Sequence, residues 1–273
     1  MVRRLAVAGA VAILVATAAS RLAAPGPAEF VVEPTTGMLL VAIEPGSFVM
    51  GSPASETGRN ADEQPHRVTV PHRFYLGRFE VTQTEWNVVM GTAPSHVQGC
   101  GSCPVEQVNF YDVNEFLSRL NARSIALRFR LPTEAEWEYA CRAGTITPFN
   151  TGNALRLDRA NTNARYPYGD VALATGPDRT TPAGRYPANA WNLHDMHGNV
   201  WEWTNDWYGP YDAARDVDPL GPDTGTVRVI RGGSWTFDAN SARCALRFTH
   251  APIDRGFSLG FRVVGEPTES RRR

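Results

Sequence analysis

Two carboxylates, Asp195 and Glu202, bracket the stretch MHGNVW, with Gly198 between them. If the chain turns at Gly198, both side chains converge with backbone carbonyls of the same loop. That is an all-oxygen shell of the kind Ca²⁺ accepts in irregular geometry. His194 and His197 lie in the same stretch. A zinc site needs three or four ligands; no third His or Cys stands nearby and no HExxH pattern is present, so His197 reads as a hydrogen-bonding core residue. Ser234 follows two glycines in RGGSWT. A nucleophile elbow is G-x-S-x-G between strand and helix, which GGSWT is not, so a serine hydrolase is not supported. Of the four cysteines, Cys100 and Cys103 form a CxxC within GCGSC, while Cys141 and Cys244 lie far away. A CxxC can be a redox or metal motif, but redox versions open a helix after a strand. This one runs through a Gly-rich loop into Pro104, so a local structural disulfide between Cys100 and Cys103 is expected. Whether Cys141 pairs with Cys244 stays open at this level.

Periodicity suggests the elements that must position these residues. GMLLVAIEPGSFVMGS reads as two strands around a turn at Glu44 to Ser47, and HRVTVPHRFYLGRFEV as strand pieces broken at Pro71 and Gly77. Thr82 and Glu85 form a capping box for a helix with Trp86, Val89 and Met90 on one face, closed by Gly91. A second helix is expected over Tyr111 to Asn121, and a third begins with Thr133 and Glu136 and ends near Gly144. Residues 149 to 185 are polar and aperiodic, a length without regular structure that a bound metal ion would explain. Trp201, Trp203 and Trp207 alternate as in a strand. Further short strands are expected at Thr226 to Ile230, Ala245 to Phe248 and Gly260 to Val264. The fold class is α+β, irregular and loop-rich, in one domain over residues 35–266.

Hydrophobic residues are 42% and charged residues 20% of the chain, an ordinary globular composition rather than a disordered one. Lys plus Arg is 27 against Asp plus Glu 28, so no basic surface argues for nucleic acid. Arg3 and Arg4 precede the apolar run Leu5 to Ser20, which ends in Ala16-Thr17-Ala18. The pattern is that of an export signal, residues 1–20, with an uncleaved N-terminal anchor as the alternative and as the one route to a membrane. Residues 21–34 read as an Ala- and Pro-rich linker and 267–273 as a polar tail. A periplasmic or secreted protein is expected, where disulfides persist.

The stretches FVMGS, FEVTQTEW, CPVEQVNFYDV, RLPTEAEWEYACRAG, LHDMHGNVWEWTNDWY, RGGSW and LGFRVV, in this order, resemble the formylglycine-generating enzyme family, or sulfatase-modifying-factor domain. The resemblance covers about residues 36–265. It implies the formylglycine-generating-enzyme fold, distantly C-type-lectin-like, and bound calcium. Asp195 and Glu202 fall on side-chain ligand positions, Gly198 and Val200 on carbonyl-donor positions. A second calcium site would use Asn161 and the Thr162 carbonyl, with further ligands near Thr175 to Asp178. Family enzymes oxidise a substrate cysteine with Cu(I) held by two cysteines shortly after GGS, since Cu(I) prefers sulfur. Here those positions carry Phe237 and Ala242, and Cys244 matches a later, structural cysteine. Neither side chain can ligate copper. The resemblance therefore implies an exported binding or accessory module, with a cleft near Trp201, Ser234 and Trp235 for a peptide, protein or small ligand. The alternatives are an oxidoreductase of non-thiol chemistry, as in the pyoverdine and ergothioneine branches of the superfamily, or a true formylglycine generator acting on a sulfatase cysteine.

Overall fold

The structure, a computed structural model, describes residues 29–268 except Ala213. The expected export signal and most of the expected linker and tail lie outside the described residues.

Among the described residues three α-helices form where the chain satisfies their first-turn N–H groups from both sides. In α1 (Gln83–Met90) the Glu85 amide donates to Thr82 Oγ1, and the Glu85 carboxylate accepts from the Thr82 amide at 2.7 Å. Gly91, at φ 71°, closes it. In α3 (Glu134–Arg142) Thr133 and Glu136 do the same. The helix between them, α2 (Phe110–Arg123), carries a box that the sequence reading did not identify, Asn109 with Asp112. Its apolar stripe, Val113, Phe116, Leu117 and Leu120, is buried. Trp86 of α1 stacks on Phe116 at 5.4 Å.

Among the described residues eleven strands make three sheets. β1 (Phe30–Val32), β2 (Leu39–Ile43), β5 (Phe74–Gly77), β11 (Val264–Pro267) and β6 (Leu127–Arg130) form one, in the order β1-β2-β5-β11-β6. A second contains β10 (Leu259–Gly260), β7 (Trp201–Trp207), β8 (Arg228–Arg231) and β9 (Phe248–His250); the pairing of β10 with β7 is parallel. β3 (Gly46–Met50) pairs only with β4 (His66–Val70).

Several expectations need correction. β2 and β3 do flank a turn, but β3 already starts at Gly46, so the turn is Glu44 and Pro45 alone, and β2 pairs with β1 and β5. The sheet begins at Phe30, inside the stretch read as linker. Ala245 to Arg247 is not a strand: β9 starts at Phe248, and the Cys244 and Leu246 carbonyls are held by the Arg231 guanidinium instead of a ladder. The strand expected over Gly260 to Val264 is two pieces that belong to different sheets.

Both cysteine pairs are bridged, Cys100 to Cys103 and Cys141 to Cys244. The second joins α3 to the segment after RGGS across 103 residues. Beside it His197 is buried. Its Nδ1 donates to the Ala242 carbonyl at 2.7 Å and its Nε2 accepts from the Asn150 amide at 3.1 Å, the core role expected of it. Burial, with the Arg142 charge adding, pushes the imidazole down to about 4.

Two outcomes follow. Cys141→Ser with Cys244→Ser should cost about 2–5 kcal/mol in denaturant unfolding, because a long loop is no longer closed in the unfolded chain. For His197 the unfolded chain takes up a proton near the ordinary value of 6.5, which the folded protein refuses until about 4. Its contribution is therefore full above pH 6.5 and declines by about 3 kcal/mol on acidification to pH 4. His197→Gln should flatten that part of the stability–pH curve; an unchanged slope would refute the assignment.

Candidate functional site

The loop from Asp195 to Glu202 is built on left-handed backbone. Asp195 (φ 55°), Gly198 (φ 85°) and Asn199 (φ 61°) all adopt it, and short polar side chains tolerate it better than most. Glu202, in β7, is buried, and each of its oxygens lies 2.6 Å from the Arg262 guanidinium. Its Oε2 also accepts from Trp137 Nε1 at 2.7 Å. Asp195 accepts from the Gly184 amide at 2.6 Å. A third carboxylate enters the same loop from the segment before α1: Glu80 accepts from Asn199 Nδ2 at 3.2 Å and from the Val200 amide at 3.4 Å. Three buried acids thus share one guanidinium. Burial first, and Glu202's charge with it, raises Asp195 to about 6. Glu80 is also raised, by burial and then by the charges of Asp195 and Glu202. The arrangement has surplus negative charge that a divalent cation would neutralise.

The segment around Asn161 backs directly onto this loop. The Asn199 amide donates to the Asn161 carbonyl at 2.8 Å, and a Cβ at Gly198 would stand 2.2 Å from that oxygen, so only glycine fits. The Asn161 side chain donates through Nδ2 to the Arg179 carbonyl (2.9 Å) and to Asn199 Oδ1 (3.2 Å). Its Oδ1 is buried with no partner. A buried acceptor without a donor is costly, and a hard cation would satisfy it. Thr162 is buried beside it. Asp178, left-handed at φ 49°, lies on the exposed end of the same polar segment.

The RGGS turn brings the third set of residues together. A Cβ on Gly233 (φ 73°) would meet Ala242 Cα at 2.9 Å, so this turn packs tightly on the chain around Ala242. Ser234 is fully buried, with its hydroxyl 2.9 Å from Thr236 Oγ1 and 3.2 Å from Ser258 Oγ. Trp201 is also inside the core, stacked under Phe248 at 5.2 Å and edge-on to Phe237 at 5.3 Å. The accessible part is Trp235, half-buried against Phe257, with Phe248 42% and Phe257 46% exposed. The indole N–H groups of Trp201 and Trp235 are buried and unpartnered. Ala242 is buried, and neither bridge leaves a free thiol among the described residues.

Glu80, Arg262, Phe248 and Phe257 were not identified as site residues from sequence. Arg262 had a signal: a lone charge inside the apolar run LGFRVV needs a buried partner. Glu80, far from Asp195 in the chain, had none.

Residues 27–267 match the family described as sulfatase-modifying factor enzyme 1-like domain. The formylglycine-generating enzyme of Bos taurus is 37% identical over 146 residues, half of this chain and 39% of that protein; the chain thus spans about two fifths of that relative's length. A chaperone protein, LppX, of Paenibacillus barcinonensis is 30% identical over 269 residues, with 82% of this chain and 88% of that protein covered. Among solved structures, PvdO from Pseudomonas aeruginosa superposes with a TM-score of 0.78 at 30% identity, over 89% of this chain and all of PvdO. The fold, the ordered motifs and the full-length match agree: this chain belongs to the formylglycine-generating-enzyme family, as a sulfatase-modifying factor enzyme 1-like domain.

Proposed function

We propose that this chain is an exported, calcium-stabilised accessory domain without thiol-copper chemistry. It holds an extended apolar segment of another polypeptide against Trp235, Phe248 and Phe257. One observation carries the reading: all four cysteines are spent in disulfides, while positions 237 and 242 carry phenylalanine and alanine. Cu(I) needs soft thiolate ligands, and Phe237 instead completes an aromatic stack with Trp201 and Phe248. Exposed rings over a rigid buried base are good anchors for a partner's apolar side chains. The name of LppX, a chaperone, supports an accessory role, since this chain covers 88% of it. Export rests on the pattern at residues 1–20 and fits the two disulfides.

Calcium fits the residues present in two places. At Asn161 the unpartnered Oδ1 is an unused ligand, and the Thr162 carbonyl and the Thr175 to Asp178 stretch would complete the shell. At the 195–202 loop, Glu202 keeps a lone pair on Oε1 despite its bonds to Arg262 and Trp137. There Asp195 and the Gly198 and Val200 carbonyls would join it. The ion would supply positive charge that fixes irregular backbone; the protein's part is to present oxygens from adjoining segments.

Three experiments test these readings. Saturating calcium should raise the thermal midpoint by roughly 5–10 °C, and Asn161→Ala should lose most of that response; an undiminished response would remove the Asn161 site. A library of unstructured peptides panned against the protein should enrich aromatic and aliphatic segments, with affinity about tenfold weaker for Phe248→Ala. In parallel, a C-x-P-x-R peptide analysed by mass spectrometry should stay unconverted. Copper-dependent formylglycine would overturn the proposal, and stoichiometric iron with oxygen consumption would favour the oxidoreductase reading.

A further inference from the structure

The CxxC loop is placed differently from an ordinary structural bridge. Cys103 is 2% exposed whereas Cys100 is only half-buried, so Cys100 is the more accessible residue of the pair. Although the motif follows α1 in sequence, the fold returns it to that helix's N-terminus. The Gln83 amide donates to the Cys103 carbonyl and the Thr84 amide to the Gly101 carbonyl, both at 2.9 Å. Gly101 sits so close that a Cβ would stand 2.5 Å from Thr84 Oγ1. These hydrogen bonds tie the CxxC backbone to the first turn of α1.

Both cysteines line a cavity of about 820 Å³, to which none of the exposed aromatic residues contributes. Arg179 and Arg185 line it too. Among the described residues neither guanidinium has a carboxylate partner, while the one acid in the wall, Asp158, pairs with Arg156 at 3.1 Å. Thr180, 2% exposed, also lines the cavity, and its hydroxyl is buried without a partner. Its carbonyl lies 3.9 Å from Cys103 Sγ. Unpaired cations and an unused hydroxyl in a cavity fit a carboxylate-bearing ligand.

We propose that Cys100–Cys103 is a thiol–disulfide exchange centre whose substrate is a small anionic thiol bound in the arginine-lined cavity. The substrate thiolate attacks Cys100 Sγ and forms a mixed disulfide. The S–S bond breaks toward Cys103, whose sulfur leaves with the electron pair, takes a proton from solvent and points the resulting S–H at the Thr180 carbonyl. A second substrate thiolate attacks the substrate sulfur of the mixed disulfide and releases Cys100 as thiolate, which takes a second proton from solvent. The protein gains two electrons and two protons, and two thiols become one disulfide; the reverse direction oxidises the protein. The Cys141–Cys244 bridge, with both sulfurs buried, takes no part.

The test uses the whole chain, oxidised, with mercaptosuccinate or cysteamine at equal thiolate concentration, alkylated at intervals and analysed by peptide mass spectrometry. Cys100 and Cys103 should be labelled well before Cys141 and Cys244. Mercaptosuccinate should react about tenfold faster than cysteamine, the low end of what charge-lined clefts contribute to encounter rates. Arg179→Ala with Arg185→Ala, both on the surface, should bring that ratio near one. Cys103→Ser, incubated with the disulfide of mercaptosuccinate, should carry the mixed disulfide on Cys100 and release one mercaptosuccinate thiol, whereas Cys100→Ser should take little on Cys103. Equal reduction of both bridges, resistance of both, or no charge preference would each overturn the proposal.

Discussion

Five arginines inside the molecule, at 142, 231, 243, 247 and 262, hold this fold together, each paired with glutamate. A buried guanidinium without its acid is strongly unfavourable, and loss of one partner costs about 3–5 kcal/mol. The pairs also do what sheets and helices do elsewhere, which is to satisfy loop carbonyls. Arg262 binds Glu202 and also the Gly77 and His194 carbonyls; Arg142 reaches Gly51, and Arg243 reaches Gly58. Irregular backbone can be buried here because side chains provide its donors.

This explains how α3, charged residues included, can be buried all round. Glu134, Glu136 and Glu138 do not share one side of it, and each meets an arginine: Arg247 and Arg231 from remote segments, and Arg130 from six residues before Glu136. The Thr–Glu caps of α1 and α3 were legible because both partners lie within one turn. The Asn109–Asp112 cap of α2 works the same way with shorter side chains and was not recognised. The last third was read less well: its short strands depend on donors such as Arg231, whose reach is not a property of local sequence.

The candidate site divides along the same line. Asp195, Gly198 and Glu202 were readable because they share one short loop. Asn161 came from the family resemblance, and its proximity to Asn199 is a tertiary fact. Glu80 arrives from before α1 and Arg262 from near β11, and they decide the charge balance of the loop. Likewise Trp201 was readable as part of an alternating strand, but the exposed ring above it is Phe248, for which no local pattern exists.

The bridge between Cys141 and Cys244 encloses the whole aperiodic stretch from 149 to 185, whose exposed crest runs through Ala172 to Thr175. A protease that severs the crest produces two fragments that remain one covalent molecule, still pinned across α3 and the RGGS turn. Nicking at this point would not by itself release either half.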